Sequence, residues 1–270
     1  MTSNTEISTF KELIALEQIH ETEFLGQSPK YTWGRVYGGQ VVAQGLASAQ
    51  NTVSSKLRVH SIHAYFIRGG TSEEPIVYQV DCLRDGKSFA TRRVVASQTD
   101  GAILNLSASF QLVENGPDID NRIDLSSIPR PSSLESENWS DLMERRVIPS
   151  GEIPNSHGVW LKLNGSSKDK RSNELGVVYA SDDVPFDAAI RQHPKFTGLW
   201  DGAGDPPFFG ASLDHAVWFH RSRNPYEWQL HLHEGVTHIG NRGLATGKIY
   251  SLDGSHVATV VQEILQRTSR

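Results

Sequence analysis

The sequence predicts an α+β protein made of two tandem copies of one unit, each a central helix followed by four strands that curve around it. Three observations carry this. The order helix-then-four-strands is readable twice along the chain. Residues recur at an offset of 153: Tyr65, Phe66 and Arg68 fall on Trp218, Phe219 and Arg221, and Asp100-Gly101 falls on Asp253-Gly254. The first central helix, from Gln40 on, has a face of Val42, Gly45, Leu46 and Ala49. A glycine inside a helix costs up to ~1 kcal/mol, and close packing against a wrapped sheet is the compensation. One irregular α+β domain with coincident matches is the alternative. The predicted boundaries are an N-terminal repeat over 1–115, a linker over 116–143 and a C-terminal repeat over 144–270.

Each element has a local reason. Thr9 to Leu16 reads as a short helix with Phe10, Leu13 and Ile14 on one side, and Glu17 to Leu25 as a strand ending in the turn Gly26-Gln-Ser-Pro29. Val59 to Arg68 alternates as a strand does. Pro75 to Arg84 and Ser88 to Ser97 flank the hairpin turn Asp85-Gly86, and Ala102 to Leu112 follows Asp100-Gly101. From Glu114 to about Met143, Pro, Ser, Asp, Glu and Asn dominate, which predicts a connector running over the surface. Val147 to Leu163 holds one strand, and the segment from Gly165 to Arg171 is a polar loop. Strands then follow over Ala211 to His220, Glu227 to His233, Gly243 to Tyr250 and His256 to Leu265.

The second central helix is predicted to open at Val177-Val-Tyr-Ala-Ser-Asp-Asp-Val-Pro-Phe186. Short side-chain oxygens at Ser181, Asp182 and Asp183 suit a helix start, and Pro185 has no N–H to leave unbonded there. Phe186, Ala189, Ile190 and His193 recur at helical spacing, with Asp187 and Arg191 paired four apart. Asp182 is then either a helix cap or a base.

Composition limits the function. The chain of 270 residues has room for one large domain or two ordinary ones. A net charge of −5 offers no electrostatic footprint for nucleic acid. No apolar run approaches the ~20 residues of a membrane span, and the polar start Met-Thr-Ser-Asn-Thr-Glu argues against a secretory signal. Cys82 is the single cysteine, which excludes an internal disulfide and fits a reducing compartment. The ending Thr268-Ser-Arg270 is not the peroxisomal Ser-Lys-Leu address. The expectation is a cytoplasmic protein, with the peroxisome as the alternative.

Several segments together resemble the acyl-CoA thioesterase II family. They are Val36-Tyr-Gly-Gly-Gln-Val-Val-Ala-Gln44, His60-Ser-Ile-His-Ala-Tyr-Phe-Ile-Arg68, Leu83-Arg-Asp-Gly-Lys-Ser-Phe-Ala-Thr-Arg92, Ser212-Leu-Asp-His-Ala-Val-Trp-Phe-His-Arg221 and Val260-Val-Gln-Glu263. The resemblance implies a double hotdog fold and hydrolysis of fatty acyl-CoA to free acid and coenzyme A. It also implies a dimer or tetramer of the two-copy chain and a catalytic trio of Asp, Ser or Thr, and Gln. By motif the trio falls on Asp182, Ser212 and Gln262. Ile264 departs from the family, which usually has Gly after Gln-Glu, and bears on substrate range.

Thioester hydrolysis needs an activated water and a place for the oxyanion. The leaving thiol has an ordinary pKa of ~8.5, so it departs with little acid assistance. Asp182 is expected as the base, with Ser212 and Gln262 holding the water. Backbone N–H groups at Gly38 and Gly39, where glycine lets a ligand approach closely, are expected to take the oxyanion. Ser212 is read as sharing a strand face with Asp214, Ala216 and Trp218. Asp214 is expected to be structural, pairing with Arg221 or His215. No cofactor is implied. A metal reading rests on His231, His233, His238 and Glu234, whose spacing is not the helical zinc pattern, so none is assigned. No Gly-x-Ser-x-Gly, no phosphate-binding glycine signature and no Asp-x4-His hydratase pair is present. The alternatives kept are an acyl-CoA binding module without turnover and a hotdog enoyl-CoA hydratase.

Overall fold

The computed structural model describes residues 7–196 and 208–268. In chain order the elements are α1 (Phe10–Leu13), β1 (Glu17–His20), β2 (Glu23–Gly26), α2 (Gly38–Asn51), β3 (Leu57–Phe66), β4 (Ile76–Asp85), β5 (Phe89–Gln98), β6 (Gly101–Leu112), β7 (Met143–Val147), β8 (His157–Leu163), α3 (Arg171–Ser181), α4 (Pro185–Ile190), β9 (Phe208–Ser212), β10 (Asp214–Phe219), β11 (Gln229–Ile239), β12 (Arg242–Ser251) and β13 (His256–Thr268). Among the described residues the strands form one antiparallel sheet in the order β1-β2-β4-β5-β6-β3-β10-β13-β12-β11-β8-β7, with β9 added on β13.

That order reads the same from either end when β3 is matched with β10, β6 with β13, β5 with β12 and β4 with β11. The two halves meet where β3 pairs with β10, His63 opposite Ala216. Those two residues are 153 apart (216 minus 63), the offset read from the sequence. Equivalent strands of the two copies therefore pair with each other about a pseudo-twofold axis. The joint also removes one exposed edge from each half-sheet.

Helix α2 lies inside this sheet, and from Gly39 to Gln50 every residue is buried. Its polar side chains are satisfied: Gln44 accepts from the Tyr78 hydroxyl at 2.8 Å and donates to the Leu13 carbonyl at 2.7 Å, while Gln40 accepts from the Tyr31 hydroxyl at 2.7 Å. Buried amides without such partners would cost more than the packing returns. Helix α3 packs against α2. At the crossing, a Cβ on Gly39 would sit 2.4 Å from the Tyr179 carbonyl oxygen, a backbone atom that cannot step aside. Gly39→Ala is therefore expected to cost about 1–3 kcal/mol by overpacking. Urea unfolding should show a lower midpoint with an unchanged slope.

Three expectations need correction. The apolar run Val177-Val178-Tyr179 does not lead into a helix; it lies within α3 and is buried against α2. Pro185 explains the break that follows, because its ring collides with the carbonyl four residues back, at Ser181, and it cannot donate to it. Helix α4 then starts at Pro185. Second, the segment from Glu17 to Leu25 is two strands rather than one, with β1 and β2 pairing as a hairpin. Third, the connector after β6 is more than a surface tether. Leu125 and Ile128 are buried with Trp160 on the outer face of the second half-sheet, and Trp160 Nε1 donates to the Pro129 carbonyl at 2.9 Å.

Candidate active site

Asp182 is the C-cap of α3, in the gap that Pro185 enforces before α4. It is not an N-cap: Val184 holds that position, without a side-chain hydrogen bond. Ser212 ends β9 and Gln262 lies on β13. The structure brings the three together. Asp182 Oδ1 accepts from Gln262 Nε2 at 2.9 Å and from Ser212 Oγ at 3.2 Å, and Gln262 Nε2 also donates to Ser212 Oγ at 2.7 Å. The second carboxylate oxygen, Oδ2, lies where a Cβ on Gly38 would be only 2.6 Å away, so only glycine permits this approach. Gly38 and Gly39 part company here. Gly38 lines the cavity beside Asp182, whereas the Gly39 N–H favours the ionised form of the Asp182 carboxyl.

A β-bulge places Ser212. Ser212 pairs with Ile264 on β13, but Ala216 pairs with Val261, so the register slips by one residue at Leu213. A one-residue slip moves side chains to the other face of a sheet. The expectation that Ser212 shares a face with Asp214, Ala216 and Trp218 is thereby overturned; buried His215, three residues on, faces inward with it. Asp214 is held in the bulge, accepting from the Glu263 N–H at 2.6 Å. It pairs with neither Arg221, which meets Asp118 and Asp120, nor His215, whose ring nitrogens meet Gln262 and Ser181.

Burial is the largest influence on Asp182 and raises its pKa to about 7, against the lowering effect of Gln262, Ser212 and the Gly39 N–H. Asp183 next door adds a smaller upward push. Asp183 is itself satisfied: it accepts from Trp139 Nε1 at 2.5 Å and from Arg145 Nε at 2.9 Å. Arg145 also donates to Asp187 at 2.6 Å and Glu137 at 3.1 Å. The expected Asp187–Arg191 pair is thus replaced by Asp187–Arg145, and Arg191 turns to Ser150.

Asp182 and Ser212 open onto a cavity of roughly 650 Å³. Trp33, Tyr37, Trp139 and Phe186 supply aromatic wall; the Tyr37 and Trp139 ring centroids are 4.8 Å apart. Arg35 and Arg68 line the same cavity. Arg35 stacks over Phe209 at 5.3 Å and Arg68 donates to the Asp100 carbonyl; among the described residues neither is ion-paired. Ile264 is fully buried with Ala188, Ala189 and Ala245, under α4. Trp139, Arg145 and His215 were missed by reading the sequence. Only Trp139 carried a signal, since a lone tryptophan in a polar connector needs an apolar place to sit.

His231 and His233 are buried with parallel rings 6.2 Å apart, while His238 packs edge-on to His193 at 4.8 Å. The three do not converge, and no group of three or more His, Cys, Asp or Glu among the described residues is arranged to hold a metal ion. Among the described residues no helix is long and apolar enough to cross a membrane.

The pattern of the family described as "Acyl-CoA thioesterase N-terminal domain" matches residues 27–111, and that described as "Acyl-CoA thioesterase" matches residues 139–265. Acyl-CoA thioesterase 2 of Haemophilus influenzae is 31% identical, over 95% of this chain and 96% of that one. The crystal structure of acyl-CoA thioesterase II TesB2 from Mycobacterium marinum is 32% identical with a TM-score of 0.83, covering 96% of this chain and 98% of that one. A hot dog fold protein of unknown function from Alicyclobacillus acidocaldarius shares the fold at 14% identity, with a TM-score of 0.75 over 97% of this chain and 98% of that one. The architecture is a double hotdog, and the catalytic class is thioester hydrolase. The chain belongs to the acyl-CoA thioesterase family, in its type II, TesB-like branch.

Proposed function

We propose that the protein hydrolyses acyl-CoA to the free fatty acid and coenzyme A, with Asp182 as general base, Ser212 beside the attacking water and Gln262 holding Asp182 and Ser212 in position. The observation that carries this reading is the hydrogen-bonded triangle of Asp182, Ser212 and Gln262, in which Asp182 and Ser212 line the cavity and Gln262 lies behind them. Water adds to the carbonyl carbon as Asp182 takes its proton. The oxyanion meets the Gly38 N–H at the start of α2, a helix whose N-terminus has no side-chain cap. The C–S bond then breaks, and the thiolate recovers the proton from Asp182. A carboxyl with a pKa near neutral suits both transfers. Arg35 and Arg68 suit the phosphates of coenzyme A, and the aromatic wall suits apolar substrate. The cell compartment that fits this reading is the cytoplasm.

A thiol-trapping assay with a series of acyl-CoA chain lengths tests it. The parent protein should release coenzyme A. Ser212→Ala and Gln262→Ala should each lose roughly 100- to 1,000-fold in kcat, the range seen when one polar group is withdrawn from a reacting centre. Their circular dichroism should match the parent. Absence of thiol release by the parent, or near-parent rates in both variants, would refute the assignment.

A further inference from the structure

With Asp182 ionised, the Gln262 amide has only one orientation that its neighbours accept. Nε2 donates to Asp182 and Ser212, which leaves Oε1 on the far side, 2.5 Å from His215 Nδ1. An amide oxygen only accepts, so Nδ1 must carry the hydrogen. His215 is fully buried, and burial lowers its pKa to about 4, so the ring is neutral at working pH. Its Nε2 is then a bare acceptor 2.7 Å from Ser181 Oγ, which turns its one hydrogen toward the ring and away from the Val178 carbonyl, 2.9 Å off on the other side. Ser181 is also fully buried, ends α3, and is joined by one peptide bond to Asp182. The contacts form a closed ring, Asp182 to Gln262 to His215 to Ser181 and back to Asp182 along the chain. It ties the end of α3 to β10 and β13.

We propose that His215, oriented by Ser181, is a positioning residue that locks the Gln262 amide so that its N–H group faces Asp182 and Ser212. The proposal rests on Asp182 being the base. Without the His215 N–H, the amide is free to flip and present its oxygen to the carboxylate. That contact is repulsive to the ionised form and favours the protonated one. Asp182 would then hold its proton to higher pH and present a water less well aligned. The other charged or titratable groups around Asp182 do not supply a substitute. Asp183 is committed to Trp139 and Arg145, the Tyr37 hydroxyl to the Tyr179 carbonyl, and Asp214 to the Glu263 N–H.

The test compares pH profiles of kcat and KM for the parent, His215→Leu, His215→Asn and Ser181→Ala, with Asp182→Asn as control. His215→Leu should lower kcat by roughly tenfold or more with KM little changed, the pattern of an interaction used at the transition state. Its acidic limb should move to higher pH. His215→Asn keeps an N–H near the Nδ1 position and should restore most of kcat and the parent limb. Ser181→Ala leaves the imidazole free to exchange tautomers and should shift the limb in the same direction by less. An unmoved limb in His215→Leu, or equal damage in His215→Asn, overturns the proposal, because a purely structural loss scales the whole profile without moving it. If His215→Leu does not fold, Ser181→Ala decides alone: a shifted limb supports the lock and an unmoved one overturns it. Retained turnover in Asp182→Asn would instead overturn the base assignment, whatever the other variants do.

Discussion

Asp182→Asn should lose between about 10² and 10⁴ in kcat, the usual contribution of a positioned base, with KM nearly unchanged. Asparagine keeps an oxygen for the Gln262 and Ser212 donors, so the geometry survives while proton acceptance is lost. In the parent, activity should rise with pH through about 7, where Asp182 ionises, and that limb should be absent in the variant. The same residue should show in stability. Its folded pKa of about 7 lies above the unfolded value of ~3.9, so the protonated form favours the fold. Stability from this group is therefore full below about pH 4 and declines as pH rises to about 7. The total penalty at higher pH is on the order of 4 kcal/mol, an upper bound from ~1.36 kcal/mol per pH unit. Asp182→Asn removes the buried charge and should melt no lower than the parent at pH 8. Calorimetry at pH 5 and pH 8 checks the sign: a variant less stable than the parent at pH 8 would contradict it.

Arg145→Met should be the most damaging single change to stability away from the reacting centre. Arg145 is the shared cation for Asp183, Asp187 and Glu137, and Asp183 is almost wholly enclosed. Removing it leaves two carboxylates poorly solvated and unpaired, which costs about 3–5 kcal/mol. Arg145→Lys should recover only part, because a single ammonium cannot reach in three directions as a guanidinium does. The cause is separable from lost packing. Adding Asp183→Asn and Asp187→Asn to Arg145→Met should recover much of the urea midpoint, since the uncompensated charges are gone. No recovery would mean that the arginine acts through its shape. Because Asp183 adjoins Asp182, Arg145→Met should also raise the pH at which activity appears.

Repetition made much of the fold legible. The strand pairs 76–85 with 89–98 and 242–251 with 256–268 are hairpins whose alternation and turn residues are local, and the 153-residue offset reappears as the pairing of His63 with Ala216. Helix α3 was misplaced for a physical reason. Val177, Val178 and Tyr179 suit strands as well as helices, and the deciding interaction is burial against α2, more than 120 residues earlier. The bulge at Leu213 was equally invisible, because the hydrogen bonds that hold it come from Glu263 and Phe66 on other strands.

The chain alone determined the duplicated helix-and-strand order, the identities of Asp182, Ser212 and Gln262 as candidates, and the glycine pair at the head of α2, since each is written in contiguous motifs. Only tertiary structure decided that Gly39 serves the carboxylate while Gly38 faces the cavity, that Arg145 neutralises Asp183, and that His215 and Ser181 stand behind Gln262. Those choices depend on which groups burial leaves opposite one another. Side-chain hydrogen bonds across 80 residues of chain, such as that from Gln262 to Asp182, have no local pattern to announce them.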